Sequence, residues 1–350
     1  MRTAPESLLS VAARTDARLA AILQAETARW VAFDADLAAP FGELRRLVLA
    51  GGKRLRPAFT YWGFVGAGGS PDADSVVDVG AAFELMHAFA LFHDDIMDGS
   101  TARRGQPTTH EVHRHLHEEH RWAGDARRFG DGVAILVGDL AFVYADVLLA
   151  GAPRAAWEMW NELRIELNVG QYLDMLGSAR SERRREKAER ICRYKSGKYT
   201  IERPLHLGAL LAGGSTDLLA TYSAYGLPLG DAFQMRDDVL GAFGETSVTG
   251  KPVGDDLREG KPTPLMAIAV ARANGAQQSV LAQVGAARLD DAQVANVQQV
   301  IVDTGALAEL EATITRLTDE AITAINAAPV SSQVRSALVE LAAYVVQRSL

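Results

Sequence analysis

Two short acidic runs carry residue types and spacings that could act together: Asp94-Asp95-Ile96-Met97-Asp98 and Gln234-Met235-Arg236-Asp237-Asp238. Asp94 and Asp98 are four residues apart, so on a helix both carboxylates project from one face, about one turn apart. Three acids at a helix C-terminus repel one another and oppose the helix dipole, which calls for a compensating cation. Taken alone, such a run reads more readily as a frayed, solvated helix end. The second run changes that balance. Gln234 lies three residues from Asp237 and four from Asp238, which puts acceptors on one stripe of another helix, with Asp231 nearby. Two carboxylate-bearing helices facing each other in a bundle make a site for hard divalent cations. Magnesium keeps several waters and takes one or two carboxylates plus substrate phosphates, so the expected ligand is a metal–diphosphate complex.

A diphosphate also needs cationic donors. Gly51-Gly52-Lys53-Arg54-Leu55-Arg56-Pro57 supplies a glycine turn and three cations, and Arg103-Arg104-Gly105-Gln106-Pro107 follows the first acidic run. Lys251 and Lys261 follow the second. Arginine binds phosphate oxygens bidentately and lysine as a point charge. Each basic cluster alone would be a solvated surface; alternating with the acids around one cavity, they suit two diphosphates better than one. The histidines of 110–120 suggest zinc, but H-E-x-x-H fails at both starts because Arg114 and Arg121 hold the final position. Residues 181–190 mix charge signs at helical spacing and read as a solvent face. Cys192 has no metal-site partner, and neither a nucleophile elbow nor a P-loop is present.

The elements that must position these groups read as helices. Apolar residues recur at three- and four-residue spacing over 8–38, 74–98, 135–149, 216–243 and 334–346. Breaks are expected at the Gly, Pro and capping clusters between them. Residues 118–132 are expected to form a loop, and 244–264 a long connection of the kind that carries function. The reading is all-α, one helical domain over 1–350. A net charge of −8, from 36 basic and 44 acidic residues, disfavours nucleic acid and a polybasic membrane anchor. One cysteine cannot form an internal disulfide, so a reducing, cytoplasmic setting is expected. No signal peptide is expected over an N-terminus carrying Glu6 and Asp16, and no transmembrane segment, since no stretch approaches about 18 uncharged apolar residues.

With GGKRLRP, DDIMD followed by RRGQPT, and FQMRDD in this order, the chain resembles the trans-isoprenyl diphosphate synthases, the polyprenyl synthetase family, from about Leu44 to Thr263. The resemblance implies an all-α bundle around a deep central cavity, a homodimer, and about three Mg²⁺ per site. It implies that Lys53, Arg56, His87 and Arg104 hold isopentenyl diphosphate. Asp94, Asp98 and Asp237 would ligate Mg²⁺ on the allylic diphosphate, with Asp95 and Asp238 supporting. Arg103, Lys195 and Lys251 would neutralise that diphosphate, with Lys261 on the closing loop and Ser196 where threonine is common. Gln171, Asp174 and Gln234 match further cavity positions. The second motif departs at its fifth position, which is Gly241 in place of aspartate, and this puts the third metal's site in doubt.

Such chemistry needs no strong side-chain base. Cations stabilise the departing diphosphate, the C=C bond of isopentenyl diphosphate attacks the allylic cation, and a dry cavity protects that cation. The helix before Asp94 should form part of the cavity wall, with Ala90, His87 and then Phe83 down one stripe, Phe83 about 16 Å below Asp94. Phe89 flanks the stripe and would limit the growing tail, while small Ala90 leaves room. That pattern resembles geranylgeranyl-forming (C20) members, with farnesyl diphosphate (C15) the nearest alternative. A class I terpene cyclase or a non-catalytic modulating subunit are the rival readings. The first lacks its second motif here, because Val239-Leu240-Gly241 follow Asp238; the second would be expected to have lost an acidic motif.

Overall fold

Helices rich in alanine and leucine at this spacing each bury one stripe against their neighbours. The computed structural model describes residues 4–245, 253–285 and 289–347. Along them run α1 (Glu6–Phe33), a 3-10 turn (Ala35–Leu37), α2 (Ala38–Leu49), α3 (Leu55–Gly66) and α4 (Asp74–Met97). A small antiparallel hairpin, β1 (Ala102–Arg103) with β2 (Gln106–Pro107), follows the first acidic run. Then come α5 (Thr109–Glu119), α6 (Ala126–Leu149), α7 (Arg154–Ala179), α8 (Arg185–Cys192), a π-helical segment (Arg193–Glu202), α9 (Arg203–Leu211) and α10 (Thr216–Phe243). A short α11 (Asp255–Glu259) leads to α12 (Pro264–Arg272), α13 (Gly275–Leu281), α14 (Asp291–Asp303), α15 (Ala306–Asn326) and α16 (Ser332–Val346).

α10 has the expected bounds, and the Ser215 side chain caps it by accepting from the Leu218 N–H. Two expectations need correction. The stretch 118–132 is not one loop: α6 already starts at Ala126, because the Asp125 side chain accepts from the Arg128 N–H and caps a polar, exposed first turn. The first helix ends at Phe33, where Asp34 turns extended and accepts from the Asp36 N–H.

Buried apolar side chains form two clusters. One joins α3, α10 and α14–α16 around Phe59 and Tyr225; the other joins α2, α4, α6 and α7 around Phe83 and Trp160. α4 and α6 pack on each other. Both are long and apolar enough to cross a membrane by length and composition, which a search for uncharged stretches overlooks. Yet 61% and 44% of their most apolar windows are buried inside this protein, and α4 carries the acids Glu84, Asp94 and Asp95. The apolarity of α4 serves the core, whereas α6 also leaves Leu136, Val143 and Val147 exposed.

Two local features fix the site. Arg54, at φ 49°, is buried where α3 begins. It bonds Asp16 of α1 at 2.7 Å, Glu84 of α4 at 2.5 Å and the Val48 carbonyl at 2.9 Å. This leaves its neighbours Lys53 and Arg56 to face elsewhere. The π-helical segment lies directly on α7 at Gly170, where a Cβ would come within 2.5 Å of the Lys195 amide nitrogen. Only glycine lets the two backbones approach so closely, and that contact sets the depth of Lys195.

Candidate active site

The acids ending α4 turn towards α7 and the π-helical segment. Asp94 Oδ1 accepts from Gln171 Nε2 at 2.7 Å, with Lys195 Nζ 3.4 Å away. Lys195 Nζ also donates to Asp174 Oδ2 at 2.6 Å. Burial opposes the Asp94 charge, but Lys195, Lys261 and Arg103 outweigh it and hold the carboxyl below its ordinary range. Asp98 shifts the other way, raised by burial and then by Asp94 despite Lys261. Asp95 is buried and clasped by Arg103, whose Nε and Nη2 lie 2.9 and 2.6 Å from Asp95 Oδ1. Its support is indirect: it aims Arg103.

On α10, Gln234 Nε2 donates to Asp238 Oδ1 at 2.9 Å, and Cys192 Sγ lies 3.6 Å from Asp238 Oδ2. Burial pushes the Asp238 carboxyl to about 8, against the Gln234 bond and helped by Asp256 and Asp237. Asp237 shares this turn, as expected. Asp231 does not join the wall, because Arg193 holds it through Nη2 at 2.5 Å. Lys261 Nζ lies 3.6 Å from Asp98, 3.4 Å from Asp256 and 2.7 Å from Glu259. Asp256 in turn lies against Gly241 of α10. One ammonium therefore spans from the first acidic wall to the helix of the second, and the walls face each other. Lys251 lies outside the described residues.

The basic groups gather beside them. Arg104 donates to the Gly51 carbonyl, which joins the two basic motifs. Arg56 Nη2 donates to Thr200 Oγ1 at 3.0 Å, and its guanidinium sits 4.3 Å over the Tyr199 ring. Arg56 Nε and Tyr199 Oη are buried with no hydrogen-bond partner among the described residues, as suits groups awaiting a ligand oxygen. Lys53 Nζ lies 6.0 Å from the Tyr344 ring.

A single cavity gathers residues from three of these sets: Arg56 and His87, then Asp94, Gln171, Lys195 and Ser196, then Phe89 and Ala90. Phe89 lines it, with its ring 4.8 Å from Phe142 and 4.6 Å from His93. Phe142 is backed by the Arg164 guanidinium at 4.8 Å. Phe83 departs from its expected place. It is wholly buried, with its ring 5.3 Å from Trp160, and is not among the residues lining this cavity; Tyr199 packs 6.4 Å from it and 6.3 Å from His87. Tyr199, Thr200 and Asp256 were not foreseen. The first two need the π-helical register, which spacing does not reveal, whereas Asp256 sits in a connection already marked by its length.

Among the described residues no three acids, cysteines or histidines form a ready-made metal cage. The carboxylates instead share ammonium groups across an opening, a hard-oxygen set that a phosphate-bearing ligand would complete. That fits Mg²⁺ carried with a diphosphate. The histidines of α5 pack on aromatics, His117 with its ring 5.3 Å from Phe129.

Burial, and then Arg56, Arg103, Arg104 and Arg54, push the His87 imidazole well below its usual range. It is neutral at pH 7 in the free protein. A diphosphate placed beside it favours the charged form, so binding takes up a proton and tightens as pH falls. Calorimetry of pyrophosphate binding in buffers of differing ionisation heat should show this uptake. His87→Gln should flatten the slope; an unchanged slope would free His87 from the role.

The chain is similar in sequence and fold to known proteins. A family profile described as polyprenyl synthetase matches residues 42–303. A geranylfarnesyl diphosphate synthase from Aeropyrum pernix is 32% identical over 317 residues, 88% of this chain and 93% of that one. A geranylgeranyl diphosphate synthase from Mycobacterium tuberculosis is 35% identical over 234 residues, 65% of this chain and 61% of that one. The crystal structure of a geranylgeranyl pyrophosphate synthase from Corynebacterium glutamicum, complexed with isoprenyl diphosphate and magnesium, superposes with a TM-score of 0.93 at 36% identity, covering 98% and 99% of the two chains.

Proposed function

The chain belongs to the polyprenyl synthetase family, and we propose that it joins isopentenyl diphosphate head-to-tail to allylic diphosphates, with C20 geranylgeranyl diphosphate as main product. It is an enzyme, a prenyltransferase making short-chain prenyl diphosphates. The observation that carries the finer reading is one cavity lined by Arg56, His87, Asp94 and Lys195 together with Phe89, whose ring packs on Phe142.

Arg56, with Lys53, His87 and Arg104, holds isopentenyl diphosphate at one side of the mouth. Asp94, Asp98 and Asp237 would hold Mg²⁺, three ions per site, which when bound neutralises charge on the allylic diphosphate. Lys195, Arg103, Lys251 and Lys261 take the charge that grows on the leaving oxygen as the allylic C–O bond breaks. Asp95 keeps Arg103 aimed, and Gln171 and Asp174 keep Asp94 and Lys195 in register. The allylic tail lies along Ala90 towards Phe89, shielded from water while the isopentenyl double bond attacks. The new cation then gives a proton to the diphosphate released when the allylic C–O bond broke, which completes the condensation. Incubation with isopentenyl diphosphate and, separately, dimethylallyl, geranyl and farnesyl diphosphates with Mg²⁺, followed by product sizing, tests this. A dominant C15 product would move the assignment to farnesyl diphosphate synthesis. Cyclised product from farnesyl diphosphate alone, or inert protein, would overturn it.

A homodimer is part of the proposal, and the cytoplasm is its setting. α6 exposes Leu136, Val143 and Val147, and α7 exposes Ile165, Val169 and Tyr172, all at helical spacing. Arg164 and Trp160 of α7 bond Asp146 near the end of α6, which joins the two helices there. So much apolar surface on neighbouring helices suits a second copy of the same chain. Leu136→Glu with Val143→Glu should convert a dimer to a monomer in sedimentation; a wild-type monomer would remove the proposal.

A further inference from the structure

One face of the π-helical segment serves the cavity, which Lys195, Ser196 and Tyr199 line. The other face carries charges that the chemistry has no need of. Lys198 Nζ donates to Glu166 Oε1 of α7. Arg203, where α9 begins, donates to both oxygens of the same carboxylate, through Nη2 at 2.6 Å and Nε at 2.7 Å. Each of these three side chains is at most 12% exposed. Burial opposes the Glu166 charge, but the bonds from Arg203 and Lys198 outweigh it and hold the carboxyl below its ordinary range. Glu202 stands 4.0 Å from both cations and accepts from Ser223 of α10 at 2.7 Å. Two acids and two bases are thus balanced in the interior, turned away from the reacting groups.

The spacing of the two cations matters. Lys198 and Arg203 are five residues apart, which on an α-helix would turn them about 140° from each other. Here the Arg203 N–H bonds the Lys198 carbonyl, the i→i+5 link of a π-helix, and that stacks the two residues on one face. One carboxylate then holds both. Glu166 lies four residues before Gly170, which meets the Lys195 amide, and eight before Asp174, which takes Lys195 Nζ. α7 therefore meets the segment at three successive turns of one face. A buried ion group adds little stability over apolar packing, but it can select one backbone arrangement among several. Slipping the segment by one residue would swing its cavity-facing side chains by about 100°. We propose that Glu166 is a positioning residue: by gripping Lys198 and Arg203 together it fixes the π-helical register, and through that register it sets Lys195, Tyr199 and Thr200 at the cavity. This deepens the prenyl-transfer reading and rests on it.

The test separates register from stability. Steady-state kinetics use isopentenyl diphosphate with whichever of dimethylallyl, geranyl or farnesyl diphosphate the wild type turns over best. Glu166→Gln should lower kcat about tenfold, because Lys195 is misplaced as charge grows on the leaving oxygen. KM for the allylic diphosphate should move less than about twofold, as expected when the loss is felt mainly in the transition state. Glu166→Met with Lys198→Met is the second arm. It removes one charge of each sign, so Arg203 still faces Glu202. This balanced variant should melt close to wild type and yet turn over about as slowly as Glu166→Gln, since both release one grip. Wild-type kcat in either variant would overturn the proposal. So would a loss carried by KM alone, or a balanced variant that does not fold, which would make the ion group structural. Wild-type protein inert with every allylic diphosphate would instead sink the functional reading beneath it, so the two failures are distinguishable.

Discussion

Replacing Asp94 by alanine is expected to lower turnover by roughly 10³-fold or more, the scale seen when a charge-stabilising group is removed from a leaving-group site. Asp94 is the acid to which most of the site is tied: Gln171 bonds it, Lys195 reaches it, and Lys195, Lys261 and Arg103 keep it ionised. The fold should survive. Lys195 retains Asp174 at 2.6 Å, so no buried ammonium is left alone, and α4 is anchored far from its end by Phe83, Leu85 and Met86. Steady-state kinetics beside a thermal melt provide the check. Full activity in Asp94→Ala would remove the assignment of the first acidic wall, and a collapsed melting curve would show Asp94 to be structural first.

The second large effect concerns product length. Phe89→Ala should lengthen the main product by roughly one five-carbon unit, because a bulky ring lining the cavity is removed and space beside Ala90 opens. The gain is bounded. Phe142 stands directly behind Phe89, and behind it the Arg164–Asp146 ion pair offers an isoprenoid tail nothing apolar to enter. Phe89→Ala with Phe142→Ala should therefore run further than either alone. The ring is only partly buried, so its loss should cost less than about 3 kcal/mol of stability. Chromatographic sizing of dephosphorylated products decides the matter. An unchanged distribution would release Phe89 from the ruler and leave the floor to be found elsewhere.

Much of this was legible in the residues themselves. The spacing of Asp94 and Asp98, and the Gln234–Asp238 stripe, reported helix faces, and α4 and α10 have nearly the expected bounds. Apolar periodicity sees such long, core-facing helices well. It fails where polarity hides a helix start, as at Ala126, and where the backbone leaves the α-helical repeat, as over 193–202. Phe83 was misplaced for a related reason. A stripe extrapolated down α4 knows nothing of Tyr199, which arrives from the π-helical segment and packs against both Phe83 and His87. Asp256 could not be paired with Gly241 from sequence at all. Their meeting depends on how a connection folds back, which no local pattern encodes.

The buried guanidinium of Arg54 carries a practical consequence. Its partners Asp16 and Glu84 belong to different helices, and α1 precedes the stretch 42–303 that the family profile matches. Pruning the protein to that shared segment would strip one counter-charge from a group 5% exposed and loosen the hinge that sets the angle between Lys53 and Arg56. The leading helix, though remote from any reacting atom, is thus a brace for the grip on the incoming five-carbon donor. Asp16→Asn, which removes that counter-charge and leaves both apolar clusters in place, should reveal the loss as poorer affinity for that donor.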